Sequence, residues 1–234
     1  MNIALFGYGK MGRMIEQIAL ERGHQIVGRI DVDTPHINYD KMDVAIDFST
    51  PEAAFSNIAD CLKQGVPVIS GTTGWLKDYD KAVALCEQEA GAFIYSSNFS
   101  LGVNVFFELN ACLAKMMKSL SQYRVEIEEI HHTQKLDAPS GTAISLANGI
   151  ISESGYSDWK LGHAGENEIP IHSIREGEVA GTHTVTYKSG VDSLQIRHEA
   201  HSRRGFAMGA VVAAEWIMGK RGIFTMKDVL EIGK

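Results

Sequence analysis

The glycine-rich segment Gly7-Tyr8-Gly9-Lys10-Met11-Gly12 separates an apolar stretch from an amphipathic one, and it restricts the folds open to this chain. Residues 2–6 before it are typical of a buried strand, and residues 11–22 have apolar side chains at helical spacing. In the pattern G-x-G-x-x-G, the first glycine allows a tight turn, the second admits a pyrophosphate, and the third lets helix and strand pack closely. The segment therefore predicts a dinucleotide-binding loop, with a purely structural turn as the alternative.

The alternation of strand and helix continues through the first hundred residues. Further strands are predicted at residues 25–30, 44–48, 66–70 and 92–95, and further helices at residues 51–65 and 78–89. Strands that alternate with helices predict a parallel sheet covered on both faces, and right-handed crossovers make that sheet doubly wound. The predicted fold class is therefore α/β, with a Rossmann domain at the N-terminal end.

After Asn98 the pattern becomes that of an α+β domain with a mixed or antiparallel sheet. Helices are predicted at residues 103–120 and 142–151, and strands at 123–130, 169–175, 179–187 and 193–200. A strongly apolar helix at 206–218 is expected to pack back on the first domain. We therefore predict one domain from residues 1–98 and 207–234 and a second from residues 99–206.

An acidic residue follows the second predicted strand. Asp31 lies about twenty residues after the glycine-rich loop, where a carboxylate accepts hydrogen bonds from ribose hydroxyls, and Asp33 is the alternative. Such an acid repels a 2′-phosphate, although Arg29, Lys10 and Arg13 could offset part of the repulsion. The sequence favours NADH as the cofactor and leaves NADPH open.

Two polar turns follow the next strands of the predicted parallel sheet. Gly71-Thr72-Thr73-Gly74 comes after the fourth strand and Ser96-Ser97-Asn98-Phe99 after the fifth. Ligands of open α/β sheets bind at the carboxyl ends of the strands. We predict cofactor contacts from both turns, with ordinary turns as the alternative.

Three titratable side chains, His131, His132 and Lys135, stand within five residues between a predicted strand and a predicted helix. Histidine supplies a proton donor near neutral pH, and lysine supplies a cation or, when its pKa is lowered, an acid. Ser140-Gly141-Thr142 begins the helix, where backbone N–H groups favour an anion such as a carboxylate. Ser140 also suits a plain N-cap. The segment predicts a proton donor beside an anion site.

Composition and spacing exclude several other classes. A formal net charge of −7 disfavours a binder of nucleic acid or of anionic membranes. No metal is expected, because adjacent histidines rarely face one ion and no third ligand has suitable local spacing. Most of the other histidines are expected to be structural, and the three cysteines to be small buried residues rather than disulfide partners. The N-terminal residues lack a signal-peptide pattern and no stretch has the length of a membrane helix, so a cytoplasmic location is expected.

The segment from Glu129 to Ala143, EIHHTQKLDAPSGTA, closely resembles the signature of the 4-hydroxy-tetrahydrodipicolinate reductase family. Other segments resemble the family in the same order, so that the resemblance covers essentially the whole chain: residues 71–74, 98–104, 175–177, 206–210 and 226–230.

The resemblance implies NAD(P)H-dependent reduction of a cyclic dicarboxylate on the route to lysine and diaminopimelate. It implies that His131 is an acid/base group and Lys135 the proton donor, and that His132, Lys135, Gly141 and Thr142 bind the substrate carboxylates. Ser140 is a further expected substrate ligand, because its hydroxyl adds a donor at the start of the predicted helix. It assigns cofactor binding to residues 7–12, Asp31, residues 71–73 and residues 96–99. It also implies a homotetramer joined through the sheet of the second domain.

Two departures from the family pattern bear on the cofactor. Many members have G-x-x-G-x-x-G in the first loop, which is longer than the segment here, and no Arg follows Asp31, which weakens the case for NADPH. Two other classes remain as alternatives: a related two-domain dehydrogenase acting on another amino or keto acid, and a non-catalytic NAD-binding regulator. Whether His131 or Lys135 delivers the decisive proton also stays open.

Overall fold

The computed structural model describes residues 1–31, 34 and 37–232. The chain divides into two compact units. The first comprises Met1–Leu101 with Arg204–Lys234, and the second comprises Gly102–Arg203. The predicted domain boundaries at 98/99 and 206/207 stay a prediction.

The first unit is built on a six-stranded sheet in which all neighbouring strands are parallel. Its strands are β1 (Asn2–Phe6), β2 (Gln25–Ile30), β3 (Val44–Asp47), β4 (Val68–Ser70), β5 (Ala92–Tyr95) and β11 (Gly222–Phe224). Their order across the sheet is β2-β1-β3-β4-β5-β11. The order reverses direction between β1 and β3, and ligands of doubly wound sheets bind at such a switch point.

Helices cover both faces of this sheet, because alternate residues of each strand point to opposite sides. The helices are α1 (Lys10–Glu21), α2 (Pro51–Lys63), α3 (Tyr79–Gln88), α6 (Arg204–Ile217) and α7 (Met226–Val229). Ile3 and Leu5 join a core with α1, α6 and α7, whereas Ala4 and Phe6 join a second core with α2 and α3. The doubly wound fold is confirmed, as is the packing of the predicted apolar helix, α6, on this unit.

The second unit contains a mixed five-stranded sheet with the order β10-β9-β6-β8-β7. The strands are β6 (Arg124–His131), β7 (Asp158–Leu161), β8 (Glu168–Arg175), β9 (Thr182–Lys188) and β10 (Ser193–Glu199), and the helices are α4 (Leu101–Met117) and α5 (Gly141–Glu153). β6 pairs in parallel with β8 and antiparallel with β9. Apolar side chains from α4, α5 and this sheet form a single core cluster. The predicted mixed sheet is therefore confirmed.

Several local predictions are corrected. His131 is the last residue of β6, paired with Arg175 of β8, rather than the first residue of a loop. β7, β11 and α7 were not predicted, because elements of three or four residues carry little periodicity. Cys61 and Cys86 are buried as expected, but Cys112 is exposed. Among the described residues, no helix has both the length and the apolar character that a membrane crossing requires.

Candidate active site

The glycine-rich loop joins β1 to α1, and each of its glycines has a distinct steric setting. Gly7 has a φ of +86°, and a Cβ there would lie 2.2 Å from the carbonyl oxygen of Phe48. A Cβ at Gly12 would lie 2.3 Å from the carbonyl oxygen of Gly7, so the helix approaches the loop too closely for any side chain. A Cβ at Gly9 would meet nothing within 4 Å, which leaves open space at the start of α1.

A cavity of about 490 Å³ opens at the carboxyl ends of β1, β2 and β3. Gly7, Tyr8, Gly9 and Asp31 line it. The Asp31 backbone N–H donates to the Thr34 hydroxyl at 2.9 Å, which shapes the turn after β2. Around the loop, Tyr8 and Met11 are half-buried and Lys10 is exposed. Asp33, the alternative ribose ligand, lies outside the described residues.

A buried carboxylate, Asp47 at the end of β3, organises the neighbouring turns. It accepts hydrogen bonds from the hydroxyls of Ser49, Ser70 and Thr72 and from the amide of Asn57, at 2.6 to 3.1 Å. The Thr72 hydroxyl also accepts from the Ser49 backbone N–H at 2.9 Å. Burial raises the pKa of Asp47, although the four donors oppose that rise. Sequence reasoning missed this residue.

Each of the two polar turns predicted to contact the cofactor has both exposed and buried side chains. The Thr72 hydroxyl is turned inward to Asp47, whereas Thr73 is exposed. A Cβ at Gly71 would lie 2.3 Å from the Phe48 ring. In the second turn, Ser97 is exposed, and Phe99 is buried in the core with its ring 5.8 Å from that of Phe48.

The remaining residues of that turn fix its backbone. The Ser96 hydroxyl donates to the carbonyl oxygen of Asn98 at 2.7 Å, and the Asn98 side-chain oxygen accepts from the Ser100 N–H at 2.9 Å. All the predicted cofactor residues lie within the first unit, after β1, β2, β4 and β5.

The histidine-lysine segment of the second unit is built around a buried carboxylate, Glu129 of β6. The Glu129 side chain is fully buried. Its oxygens accept from the Ser140 N–H at 3.1 Å, from the Ser173 hydroxyl at 2.8 Å and from the Arg175 guanidinium at 3.1 Å. Burial raises its pKa, but the nearby His183, 3.7 Å away, and the hydrogen bonds from these three donors outweigh burial and hold the pKa well below its usual range. Glu129 is therefore ionised at neutral pH.

Arg175 connects this carboxylate to the loop that carries Lys135. Its guanidinium donates to the carbonyl oxygen of Asp137 at 2.6 Å and to that of Lys135 at 3.4 Å. Lys135 Nζ donates to both carboxylate oxygens of Asp137 at 2.8 Å. The Lys135 side chain is 22% exposed, so its ammonium group remains accessible to a ligand. His132 is half-buried and its backbone N–H donates to the carbonyl oxygen of Val179.

The start of α5 is capped as predicted. Ser140 is the N-cap, and its hydroxyl oxygen accepts from the Ala143 N–H at 3.2 Å. The same oxygen lies 3.1 Å from Nε2 of His183 on β9. A Cβ at Gly141 would meet nothing within 4 Å, so the space beside the helix start is open. Thr142 follows Gly141 in the first turn of this helix.

His131 lies beside Glu129 and His183 in a site of low solvent access. Its Nδ1 atom is 3.4 Å from a Glu129 oxygen, and its ring centroid is 5.0 Å from that of His183. Burial, followed by the nearby charges of His183, Lys135 and Arg175, lowers the pKa of His131 to about 4, against the opposing effect of Glu129. His131 is therefore neutral at neutral pH.

Among the described residues, Glu129, His131 and His183 bring potential metal-ligand atoms within 4.8 Å of one another. No third ligand was expected from the spacing along the chain, because Glu129 and His131 lie on β6 whereas His183 lies on the paired strand β9. Lys135 and Arg175 place positive charge against the group, which opposes a cation and favours an anion.

Sequence reasoning missed Glu129, Arg175 and His183 as parts of this site. The alternation along β6 could have indicated Glu129, because Glu129 and His131 fall on the same face as the buried Val125 and Ile127. A polar residue at a buried position of a strand indicates a specific structural or functional role, because most polar side chains are exposed.

Sequence models of two parts of one enzyme family match nearly all of the chain. The dihydrodipicolinate reductase N-terminus matches residues 1–99, and the dihydrodipicolinate reductase C-terminus matches residues 102–230. The chain belongs to the dihydrodipicolinate reductase family. Its N-terminal part is accordingly a Rossmann domain that binds a nicotinamide nucleotide, and the family's enzymes are NAD(P)H-dependent oxidoreductases.

Individual reductases of this family match the chain over nearly its full length. The 4-hydroxy-tetrahydrodipicolinate reductase of Christiangramia forsetii is 60% identical over 233 residues, which is 98% of each chain. That of Archaeoglobus fulgidus is 36% identical and covers 99% of this chain and 100% of its own. The dipicolinate-bound dihydrodipicolinate reductase from Paenisporosarcina sp. TG-14 superposes with a TM-score of 0.78 at 24% identity, covering 96% and 97% of the two chains, and this likeness supports the fold.

Proposed function

We propose that the chain reduces 4-hydroxy-tetrahydrodipicolinate to tetrahydrodipicolinate, with loss of water, in the biosynthesis of lysine and diaminopimelate. The observation that carries the proposal is the combination of family membership with the Glu129-centred segment. Glu129 accepts from the Ser140 N–H at the start of α5 and lies beside His131, and Arg175 connects it to the loop of Lys135. A reduced nicotinamide supplies the hydride when it is bound. The side chains of this protein supply orientation, charge and the proton.

The substrate's two carboxylates account for the anion-binding features of the second unit. Ser140, Gly141 and Thr142 at the start of α5 would hold one carboxylate, since a helix N-terminus favours an anion and the space beside Gly141 is open. His132 and the Lys135 ammonium group would bind the second carboxylate. Fixing both carboxylates orients the ring, which lowers the entropic part of the barrier.

Lys135 is our choice as the proton donor to the ring nitrogen, because His131 is neutral at neutral pH. A neutral imidazole is a much weaker acid than an ammonium or imidazolium group. His131 would act through a neutral N–H that hydrogen-bonds the substrate. Asp137 holds the Lys135 ammonium group by two hydrogen bonds until the substrate arrives.

The cofactor would bind in the first unit, along Gly7, Gly9 and Asp31, and we propose that NADH is preferred. Asp31 lies at the end of β2 and lines the cavity beside the loop. Its carboxylate suits ribose hydroxyls and repels a 2′-phosphate. In an Asp31→Ala variant, NADH binding should weaken more than NADPH binding, as measured by nucleotide fluorescence titration. Equal weakening of the two would count against Asp31 as the ribose ligand.

A coupled assay tests the reaction. The protein is mixed with pyruvate, aspartate semialdehyde, the upstream synthase and NADH, and oxidation is followed at 340 nm. The proposal predicts synthase-dependent oxidation of NADH. A Lys135→Ala variant should lose at least about 100-fold in kcat, the usual scale for a general acid, and still bind NADH. Lys188→Ala, which removes an exposed lysine of the same unit, is the matched control. Wild-type turnover in the Lys135 variant would contradict the assignment.

A homotetramer and a cytoplasmic location remain predictions. Light scattering coupled to size-exclusion chromatography measures the first directly, and a monomeric mass would contradict it.

A further inference from the structure

An ion pair between the buried Glu16 and the exposed Arg29 lies beside the glycine-rich loop of the first unit. Glu16 of α1 accepts hydrogen bonds from Nε of Arg29 at 3.1 Å and from a terminal nitrogen of the same guanidinium. The hydroxyl of Tyr8, between Gly7 and Gly9, donates to the same carboxylate. The Arg29 guanidinium also lies over the Tyr8 ring, 5.6 Å from its centroid.

Arg29 lies on β2, two residues before Asp31, which follows the end of that strand. In dinucleotide-binding folds, an arginine near the ribose-binding acid is the group that accepts a 2′-phosphate. Arginine suits this task because its planar fork binds phosphate oxygens in pairs. Here Nε and one terminal nitrogen of the guanidinium already donate to the two oxygens of Glu16.

Glu16 is placed to hold this arginine. The residue is 8% exposed, and the hydrogen bond from Arg29 lowers its pKa, with burial opposing and Tyr8 assisting. An ionised carboxylate at this place cancels the charge of Arg29 close to the ribose site. The positive charge of Arg29 is therefore balanced before a nucleotide binds.

We propose that Glu16 is a specificity-determining residue, which selects NADH by holding Arg29 away from the 2′-phosphate of NADPH. The inference rests on the proposed cofactor site at Gly7, Gly9 and Asp31. It assigns discrimination to a residue on α1 that does not itself touch the nucleotide.

The test measures the dissociation constants of NADH and NADPH by fluorescence titration, without substrate, for Glu16→Gln. The glutamine keeps the shape of the side chain and removes its charge. The ratio of the NADPH constant to the NADH constant should fall at least about tenfold, since a charge-assisted hydrogen bond to phosphate becomes available. The double variant Glu16→Gln with Arg29→Met should lose that gain, because the released guanidinium is its source.

Glu21→Gln is the matched control, since it removes the same charge from α1 and breaks a different arginine pair, with Arg204. Its ratio should match the wild type. An unchanged ratio in a folded Glu16→Gln variant, or an equal change in Glu21→Gln, would overturn the inference while leaving the cofactor site standing. If the variant fails to fold, Arg29→Met alone decides: a guanidinium that Glu16 holds away does not contact the 2′-phosphate, so the ratio should rise less than about tenfold, and a larger rise would show that Arg29 already binds the phosphate and would refute the role. Absence of binding of either nucleotide to the wild type would refute the cofactor site and this inference together.

Discussion

Replacing Glu129 by glutamine tests whether one buried carboxylate holds the reactive segment together. The carboxylate accepts from Ser140, Ser173 and Arg175, and it is the buried counter-ion of the arginine that binds the loop carbonyls of Lys135 and Asp137. A glutamine keeps one oxygen as an acceptor and presents an NH2 group, a donor, to these donors. Arg175, whose side chain is 20% exposed, loses its charged partner.

The expected loss in the free energy of unfolding follows from these contacts. A hydrogen bond to a charged group contributes about 1.5 to 3 kcal/mol, and breaking a buried ion pair from one side costs about 3 to 5 kcal/mol. Since one acceptor oxygen survives, we expect the free energy of unfolding to fall by about 3 to 5 kcal/mol at pH 7. Urea unfolding followed by circular dichroism measures it, with Glu128→Gln, an exposed neighbour on the same strand, as the control.

The pH dependence gives the substitution a second readout. The pKa of Glu129 is lowered in the folded protein, so its stabilisation is present above the unfolded pKa of about 4.3 and is lost as pH falls toward the folded value. The difference between wild type and variant should therefore shrink below about pH 4. A loss under about 1 kcal/mol at pH 7, or a difference that does not change with pH, would refute the central role given to this carboxylate.

Two further predictions concern one site in each unit. The pKa of His131 is about 4 in the folded protein and about 6.5 in the unfolded chain, so its protonation should lower the free energy of unfolding of the wild type by about 2.5 kcal/mol as the pH falls from 7.5 to 4.5. In urea titrations, the His131→Gln variant should lose about 2.5 kcal/mol less than the wild type over the same pH range. An equal loss in the two proteins would contradict the low pKa. In α6, a Cβ at Gly209 would lie 1.7 Å from the carbonyl oxygen of Phe99, so Gly209→Ala should lower the free energy of unfolding by about 3 kcal/mol. Gly205→Ala, which meets only an ordinary contact at 3.6 Å, should be neutral or stabilising, and equal thermal unfolding of the two variants would contradict the steric argument.

Much of the fold followed from local patterns. The alternation of strand and helix predicted the parallel sheet, and the predicted strand at residues 25–30 coincides with β2. The N-cap at Ser140 was also predictable, because its geometry depends on residues only three positions apart. The family followed from the HHTQKLDAPSG segment. Where prediction failed, as for His131 at the end of β6, the decisive pairing is with β8, more than forty residues away, where the Glu176 N–H donates to the His131 carbonyl oxygen.

The doubly wound sheet, the glycine-rich loop and the histidine-lysine segment could be predicted, because each depends on residues close together along the chain. The charge states of the site residues could not be predicted, because they depend on contacts between distant strands. Glu129, Arg175 and His183 lie on three strands that meet through β-sheet pairing, and their contacts keep the carboxylate ionised and the His131 imidazole neutral. Burial and the distances between charges set a pKa, and neither can be obtained from spacing along the chain.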